Sequence, residues 1–237
     1  MQRSLRVNQK KVLILDYSVD RLETPNIKAC LPADVQVSSL FIDTEDSFPD
    51  DLGDRPFTHI IHTGSALSIN ETAPFTAKAE KFIRETQARR APQMGICYGH
   101  QLVCRALIGT HAVRASSNGF EVGWRPVTFP GNAQALLGVK QVETVWHHHF
   151  DEVVELPEGS ELLATNDHTR VQAYINFQQR LIGTQFHPEF DKERGNRYYV
   201  NDRKFIEENN YAVDELIQQG PSFDTGQVFF NFFLEKV

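Results

Sequence analysis

The segment Met94-Gly95-Ile96-Cys97-Tyr98-Gly99-His100-Gln101 decides the fold that the sequence predicts. An apolar run precedes Cys97 and a helix-forming run follows it, with a glycine two residues away on each side. This pattern is typical of a sharp strand-to-helix turn, in which small residues make room for a strained reactive residue. Such a turn places Cys97 at a helix N-terminus, where the dipole and free N–H groups favour a thiolate. Because the pattern alone also fits a buried cysteine that only packs, a second motif is needed.

The second motif is His187-Pro188-Glu189, which follows another apolar run. A thiol nucleophile needs a neighbouring base, and the base needs a group that orients its ring. The residue before a proline favours extended backbone, in which residues two apart point the same way. We therefore expect Glu189 to accept a hydrogen bond from His187. The two motifs together predict a catalytic site of Cys97, His187 and Glu189.

Short apolar runs around these motifs predict strands, and amphipathic runs predict helices. The predicted strands span residues 12–15, 35–42, 58–62, 92–96, 121–129, 141–149, 161–165, 171–177 and 181–186. The predicted helices span residues 72–90, 100–108, 203–219 and 225–236. The alternation of strand and helix in the first half indicates a parallel sheet covered on both faces. We predict an α/β fold with a central, mostly parallel sheet and additional antiparallel strands.

Length and composition restrict the class of protein. The chain has 237 residues and is 41% hydrophobic, which suffices for one substantial core, so residues 1–237 are predicted to form a single domain. A net charge of −7 without a basic cluster argues against nucleic acid as a partner. An odd number of three cysteines does not suggest a disulfide framework. Residues 1–11 lack the apolar stretch of a signal peptide, and no apolar run is long enough to span a membrane. We expect a cytoplasmic protein without membrane association.

The two motifs resemble those of the class I glutamine amidotransferases, in the same chain order. The resemblance extends from the first predicted strand to about Phe190. Thr63-Gly64-Ser65 stands where synthetase-associated members often have Gly-Gly-Pro, and this makes the chain more similar to the single-domain branch. That branch includes stand-alone GMP-synthase-type glutaminase domains and γ-glutamyl peptidases. The resemblance implies a three-layer, flavodoxin-like sandwich that needs no cofactor.

The resemblance also implies a mechanism for the predicted site. Cys97 would attack the side-chain amide of glutamine, His187 would move the proton, and a γ-glutamyl thioester would be hydrolysed to glutamate. The developing oxyanion needs preorganised donors. The family pattern assigns these donors to the backbone N–H of Tyr98 and to the turn that contains Gly64 and Ser65.

The family pattern assigns substrate contacts to Gln101 and to a segment that usually reads Ser-His-Gly-Asp. In this chain His149 and Asp151 match the His and Asp of that segment, whereas His148 and Phe150 stand for Ser and Gly. Backbone groups of His148, His149 and Phe150 are therefore expected to hold the amino and carboxylate ends of the substrate.

Several alternatives stay open at the level of sequence. The same machinery would serve a γ-glutamyl peptide hydrolase, and a non-catalytic binding or regulatory protein could retain the fold. An ammonia-accepting synthase is a further partner that the resemblance allows. The three histidines of His147-His148-His149 suggest a metal ligand set. Because consecutive strand residues point to opposite faces, all three cannot easily converge on one ion, and we expect no metal site.

Overall fold

The computed structural model describes residues 9–52 and 55–237. Its strands are β1 (Lys11–Asp16), β2 (Gln36–Phe41), β3 (His59–His62), β4 (Gln93–Ile96), β5 (Val113–Ala115), β6 (Glu121–Thr128), β7 (Val142–His149), β8 (Asp151–Val153), β9 (Glu161–Ala164), β10 (Ala173–Asn176) and β11 (Leu181–Thr184). Its α-helices are α1 (Glu23–Cys30), α2 (Thr76–Ala88), α3 (Tyr98–Ile108), α4 (Gly131–Leu137), α5 (Lys192–Asn201), α6 (Arg203–Glu208), α7 (Val213–Leu216) and α8 (Thr225–Lys236). The expectation of no signal peptide falls mainly on residues 1–8, which lie outside the described residues.

A seven-stranded sheet forms the centre of the molecule, in the order β2-β1-β3-β4-β11-β10-β9. The first five strands in this order are parallel, whereas β10 pairs with β11, and β9 with β10, in the antiparallel direction. The predicted α/β fold with a mostly parallel sheet and additional antiparallel strands is confirmed. No helix in the described ranges is both long and apolar enough to cross a membrane.

Helices cover both faces of the sheet, because the side chains of each central strand alternate between two apolar cores. In β1, Val12 and Ile14 join the core that contains α1, α4 and α8, whereas Leu13 and Leu15 join the core that contains α2 and α3. Parallel strands buried on both faces read as continuous apolar runs, which explains why the sequence reveals these strands. The result is the predicted three-layer sandwich.

A second, smaller sheet lies beside the sandwich and carries part of the cleft. Strands β6 and β7 pair over eight residues each in the antiparallel direction, with Glu121 opposite His149. A third apolar core, which includes Trp124, Trp146 and Tyr199, joins this ribbon to α5, α6 and α7. The C-terminal helices that directly follow the His-Pro-Glu motif therefore pack on the ribbon rather than on the central sheet.

Several elements differ from the prediction. The prediction lacks α1, which carries Pro25 in its first turn, where the missing N–H of a proline has no intrahelical partner to lose. The prediction also lacks α4, which begins at Gly131. The predicted helix 203–219 is divided into α6 and α7 because Asn210 adopts a left-handed conformation with φ 66°. Helix α5 lies in a region without a recognisable sequence motif.

Candidate active site

Cys97 lies at the junction of β4 and α3, in a backbone conformation that few residues adopt. Its φ and ψ are 49° and −106°. The amide of Cys97 donates to the carbonyl of Thr184 at 2.8 Å, and its carbonyl accepts from the amide of Gln101 at 3.1 Å. A non-glycine residue with positive φ is held in place only when its surroundings over-determine it, and such residues concentrate at functional sites. The predicted strand-to-helix turn is present.

The two glycines of this turn are required by close backbone packing. A Cβ on Gly99 would lie 2.2 Å from the carbonyl oxygen of His62, and one on Gly95 would lie 2.6 Å from Cα of His100. No side chain fits at such distances without backbone movement. The glycines thus let α3 start directly above the sheet, with Cys97 at its N-terminal end.

His187 reaches the same edge of the sheet from the adjacent strand. Strand β11 pairs in parallel with β4, with Thr184 opposite Ile96, so the residues after the two strands emerge together. The ring of His187 is buried, and the nearby Cys97 thiol is one of the groups that raise the pKa of His187. The structure therefore brings the two sequence motifs into contact.

Glu189 orients the His187 ring as expected. Nδ1 of His187 donates to Oε1 of Glu189 at 2.6 Å. Burial opposes protonation of His187, but the charges of Glu189, Glu23 and Cys97 outweigh it and raise the pKa of His187 well above its usual value. Burial likewise works against ionised Glu189, yet the contact with His187 lowers the pKa of Glu189. The Glu189 carboxylate thus stabilises the imidazolium that forms when His187 takes a proton.

A second carboxyl group, Glu23, faces the same ring, and no sequence motif marks it. Oε1 of Glu23 lies 3.7 Å from Nδ1 of His187, and the side chain is buried at the first turn of α1. Burial and the charge of Glu189 raise the pKa of Glu23 to about 8. At neutral pH the two carboxyls therefore share one negative charge, as like-charged neighbours do.

Gly64 brings the Thr63-Gly64-Ser65 turn against His187. A Cβ on Gly64 would lie 2.5 Å from Cε1 of His187 and 3.3 Å from Oε1 of Glu23. Trp146 also packs edge-to-face on His187, with ring centroids 4.9 Å apart, and its carbonyl accepts from the His187 amide at 3.1 Å. The imidazole is therefore confined by both the turn and the indole.

The segment after β7 also lies beside Cys97. The Cys97 sulfur is 4.0 Å from the carbonyl oxygen of His148. Nε2 of Gln101 donates to the carbonyl of Asp151 at 2.9 Å, which ties the first turn of α3 to this segment. Phe150 is accommodated, although the family pattern has glycine there, because its ring stacks on Phe120 with centroids 4.3 Å apart.

The side chain of His149 is occupied by protein partners. Its Nε2 lies 2.9 Å from Oε2 of Glu121, and its Nδ1 lies 3.0 Å from the carbonyl of Asp151. His148 points to the opposite face, where its Nε2 lies 2.8 Å from Asp202. Both rings are thus paired within the protein, and the expectation for this segment concerns its backbone groups, since His148, His149 and Phe150 all line the cleft.

The cleft has two lobes, one at Cys97 and one at His187. The Cys97 lobe has a volume of about 310 Å³, and its lining is Ser65, Ala66, Leu67, Ser68, Cys97, Gln101, His148, His149, Phe150, Asp151, Tyr198, Asp202 and Phe205. The His187 lobe has a volume of about 170 Å³, and its lining is Ser18, Val19, Asp20, Glu23, Ser65, Ala66, Trp146, His148, His187 and Tyr198. Every site residue predicted from the sequence lines one of these lobes except Gly64, Tyr98 and Glu189, and each of those three adjoins Cys97 or His187.

A family model and related sequences identify the same protein family. The family model described as glutamine amidotransferase class-I matches residues 33–206. A subunit of the glutamine-hydrolyzing GMP synthase of Saccharolobus solfataricus is 35% identical over 148 residues, which cover 62% of this chain and 76% of that protein. The glutamine-hydrolyzing GMP synthase of Clostridium novyi is 36% identical over 132 residues, which cover 56% of this chain and 24% of that protein.

Solved structures show the same fold at low identity. A glutamine amidotransferase of Thermotoga maritima superposes with a TM-score of 0.74 at 18% identity, covering 95% of this chain and 93% of that one. A glutamine amidotransferase of Methylobacillus flagellatus superposes with a TM-score of 0.76 at 19% identity, covering 97% of this chain and 96% of that one.

Proposed function

The chain belongs to the class I glutamine amidotransferases, and from this we propose that it hydrolyses the side-chain amide of glutamine with Cys97 as nucleophile, His187 as base and Glu189 as the residue that orients the base. The observation that carries the proposal is that Cys97 and His187 follow two adjacent parallel strands, β4 and β11, and emerge at the same edge of the sheet. The arrangement of nucleophile, base and orienting carboxylate supports acyl transfer chemistry.

The reaction follows from this arrangement. His187 takes the proton of the Cys97 thiol, and the sulfur attacks the amide carbon, whose C=O electrons move to oxygen. When the tetrahedral intermediate collapses, the C–N bond breaks, His187 returns the proton to nitrogen, and ammonia leaves a γ-glutamyl thioester. Water then attacks the thioester while His187 takes one of its protons. The C–S bond breaks, glutamate leaves, and the proton returns to sulfur.

Two features support the proposed oxyanion hole. Tyr98 is the first residue of α3, and the N–H groups of a first helical turn have no intrahelical acceptor. The turn with Gly64 and Ser65 lies against His187, so its backbone is beside the proposed position of attack. Backbone donors from both segments would stabilise the negative charge as it develops on the substrate oxygen.

The experiment that tests the proposal is replacement of the nucleophile. We expect Cys97→Ala to lower glutamate release from glutamine by at least about 1,000-fold, because residues of a triad act as a unit. Cys104→Ala is the matched control, since Cys104 lies on the same helix and packs in the core. Equal rates for wild type and Cys97→Ala would exclude Cys97 as nucleophile.

The size of the His187 lobe favours a second candidate function, hydrolysis of a γ-glutamyl amide or peptide. The leaving nitrogen must lie within reach of His187, because His187 protonates it. The lobe has a volume of about 170 Å³, whereas a molecule the size of water or ammonia occupies about 30 Å³. The lobe therefore has room for a leaving amine larger than ammonia.

The charges of this lobe restrict the leaving amine. Asp20 and Glu23 line it, Glu23 shares one negative charge with Glu189 at neutral pH, and no lysine or arginine lines the lobe among the residues that the structure describes. A neutral or cationic amine suits this lining better than one that carries a carboxylate. Comparison of kcat/KM for glutamine, a γ-glutamyl diamine and a γ-glutamyl peptide tests this candidate, and a strong preference for free glutamine would exclude it.

The proposal has one further part, which concerns the use of the released ammonia. It is supported by the relatives that are named as one subunit of a glutamine-hydrolyzing GMP synthase. Ammonia released at Cys97 would be used by a synthase on a separate chain. Glutamate release is expected to rise when such a synthase and its substrates are added. If the rate is the same with and without the synthase, this part of the proposal is wrong.

A further inference from the structure

A buried cluster of one carboxylate and two imidazoles lies in the β6–β7 ribbon, next to the segment that borders Cys97. Glu121 starts β6 and is opposite His149 in the ladder, and His147 lies two residues before His149 on the same face of β7. Oε2 of Glu121 lies 2.9 Å from Nε2 of His149 and 3.6 Å from Nδ1 of His147. One donor atom from each of the three residues lies within 4.8 Å of the others.

The cluster is buried, yet part of it has no partner. His147 is 0% exposed, and neither of its ring nitrogens has a hydrogen-bond partner among the described residues. Oε1 of Gln172, beside the cluster, is also buried without a partner in the described part of the chain. Buried polar groups are nearly always satisfied, because an unpaired one costs the full loss of hydration. A ligand that accepts electron pairs from nitrogen and oxygen fits between these side chains.

We propose that Glu121, His147 and His149 bind a divalent transition-metal ion of the Zn²⁺ type. Imidazole nitrogen and carboxylate oxygen are donors that zinc binds well, whereas Ca²⁺ and Mg²⁺ prefer oxygen alone. Two ligands bound at about 2.0–2.1 Å in a tetrahedral site are about 3.3–3.4 Å apart. The two spacings from Glu121, 2.9 and 3.6 Å, bracket this value, and the donor nitrogens of His147 and His149 lie within 4.8 Å of each other.

Supporting hydrogen bonds of the kind found around metal ligands are already present. The second ring nitrogen of His149 faces the carbonyl of Asp151 at 3.0 Å, and Nδ2 of Asn166 donates to Oε1 of Glu121 at 2.5 Å. Metal-binding histidines and carboxylates are usually oriented in this way. Nε2 of Gln172 donates to Oε2 of Glu121 at 2.8 Å, and turning this amide would present its unpartnered Oε1 as a fourth ligand.

Zinc binding to the Cys97→Ala variant tests the site. Glu23, His187 and Glu189 form a second candidate ligand set, and this background removes the Cys97 thiol, a strong zinc donor, from its neighbourhood. After removal of metal with a chelator, calorimetric titration with Zn²⁺ is expected to give one tight site per chain. A further His147→Met change should weaken binding by more than the roughly 10–100-fold that follows loss of a supporting hydrogen bond.

The matched control is His148→Met in the same background, since His148 points to the opposite face and pairs with Asp202. This variant should keep the tight site. Absence of tight zinc binding in the Cys97→Ala chain, or equal affinity with His147→Met, would overturn the proposal. If His147→Met does not fold, Glu121→Gln in the same background replaces it. Weaker zinc binding in this variant supports the site, and unchanged affinity rejects it.

Discussion

At the scale of single residues, the ring of His187, the proposed base, faces two buried carboxyls that come from distant parts of the chain. Glu189 follows His187 by two residues, whereas Glu23 belongs to α1. Ionisation of both neighbouring carboxyls would be electrostatically unfavourable. Glu189 therefore carries the negative charge, and Glu23 keeps its proton up to a pKa of about 8. Glu23 is thus placed to change the charge around His187 in the mildly alkaline range.

Replacement of Glu23 by glutamine tests this role. The amide resembles the protonated carboxyl, so kcat/KM for glutamine near pH 6.5 is expected to stay within about threefold of wild type. Above the Glu23 pKa of about 8, this side chain is ionised in wild type only. The pH profile of wild type should therefore show a change in slope in this range that Glu23→Gln lacks. Superimposable profiles would show that Glu23 does not influence His187.

The same residue predicts a pH dependence of stability. The folded pKa of Glu23, about 8, lies above its usual value of 4.5. Its folded state therefore binds more protons than its unfolded state, and stability falls as pH rises from about 4.5 through 8. Glu23→Gln should flatten this part of the curve when urea unfolding is measured from mildly acidic to mildly alkaline pH. An unchanged slope would contradict the assigned pKa.

A third residue-scale prediction concerns Gly64. A Cβ at this position would lie 2.5 Å from Cε1 of His187, so Gly64→Ala should displace the ring from Cys97. A misplacement of about 1 Å can lower a rate by about 100-fold, and we expect kcat to fall more than KM rises. Gly131→Ala is the control, because a Cβ there contacts nothing within 4 Å. An unchanged kcat in Gly64→Ala would show that this turn does not control the position of His187.

At the scale of elements, the turn between β4 and α3 is where backbone packing and chemistry coincide. Gly99 of α3 lies against the end of β3, where its amide donates to the carbonyl of Thr63 at 3.0 Å. Cys97 takes its positive φ because this helix start is fixed against the sheet. The strain at Cys97 is thus held by contacts that involve no substrate.

Gly99→Ala tests how firmly this turn is held. Its Cβ would lie 2.2 Å from the carbonyl oxygen of His62, an atom of a central strand that cannot move freely. We expect the free energy of unfolding to fall by at least about 2 kcal/mol. This value lies in the upper part of the range of about 1–3 kcal/mol that is typical of overpacked side chains. Urea unfolding of this variant beside Gly131→Ala measures the difference. Equal stability would mean that α3 can shift away from β3.

At the scale of the whole molecule, the C-terminal helices connect stability to the cleft. Helix α6 begins after Asp202, a wall residue of the Cys97 lobe, and carries Phe205 in that wall. The next residue, Ile206, is 0% exposed in the third apolar core with Trp146. The position of the cleft wall is therefore fixed by a core separate from those of the central sheet.

Ile206→Ala tests this connection. Removal of a buried isoleucine side chain is expected to lower the free energy of unfolding by about 2–5 kcal/mol. In the remaining folded protein KM should rise more than kcat falls, because the wall moves while Cys97 and His187 stay at the edge of the central sheet. Steady-state kinetics of the variant, measured well below its unfolding temperature, separate the two constants. A stability loss with unchanged KM would show that α6 does not shape substrate binding.

The sequence by itself determined the central sheet and the catalytic motifs. Strands buried on both faces appear as apolar runs, and the turn around Cys97 requires glycine at Gly95 and Gly99 for local steric reasons. The pairing of His187 with Glu189 was predictable too, because residues two apart in extended chain share a face. These features depend on interactions between near neighbours in the chain.

Only the tertiary structure decided which distant groups meet. Glu23 faces His187 because α1 packs at the carboxyl end of the sheet, and Glu121 joins His147 and His149 because β6 and β7 pair in one register. The helices that directly follow the His-Pro-Glu motif were predicted poorly for the same reason, since their apolar residues face a ribbon that no local pattern reveals. Contacts across the fold depend on how elements pack, and the order of residues within one element does not specify that packing.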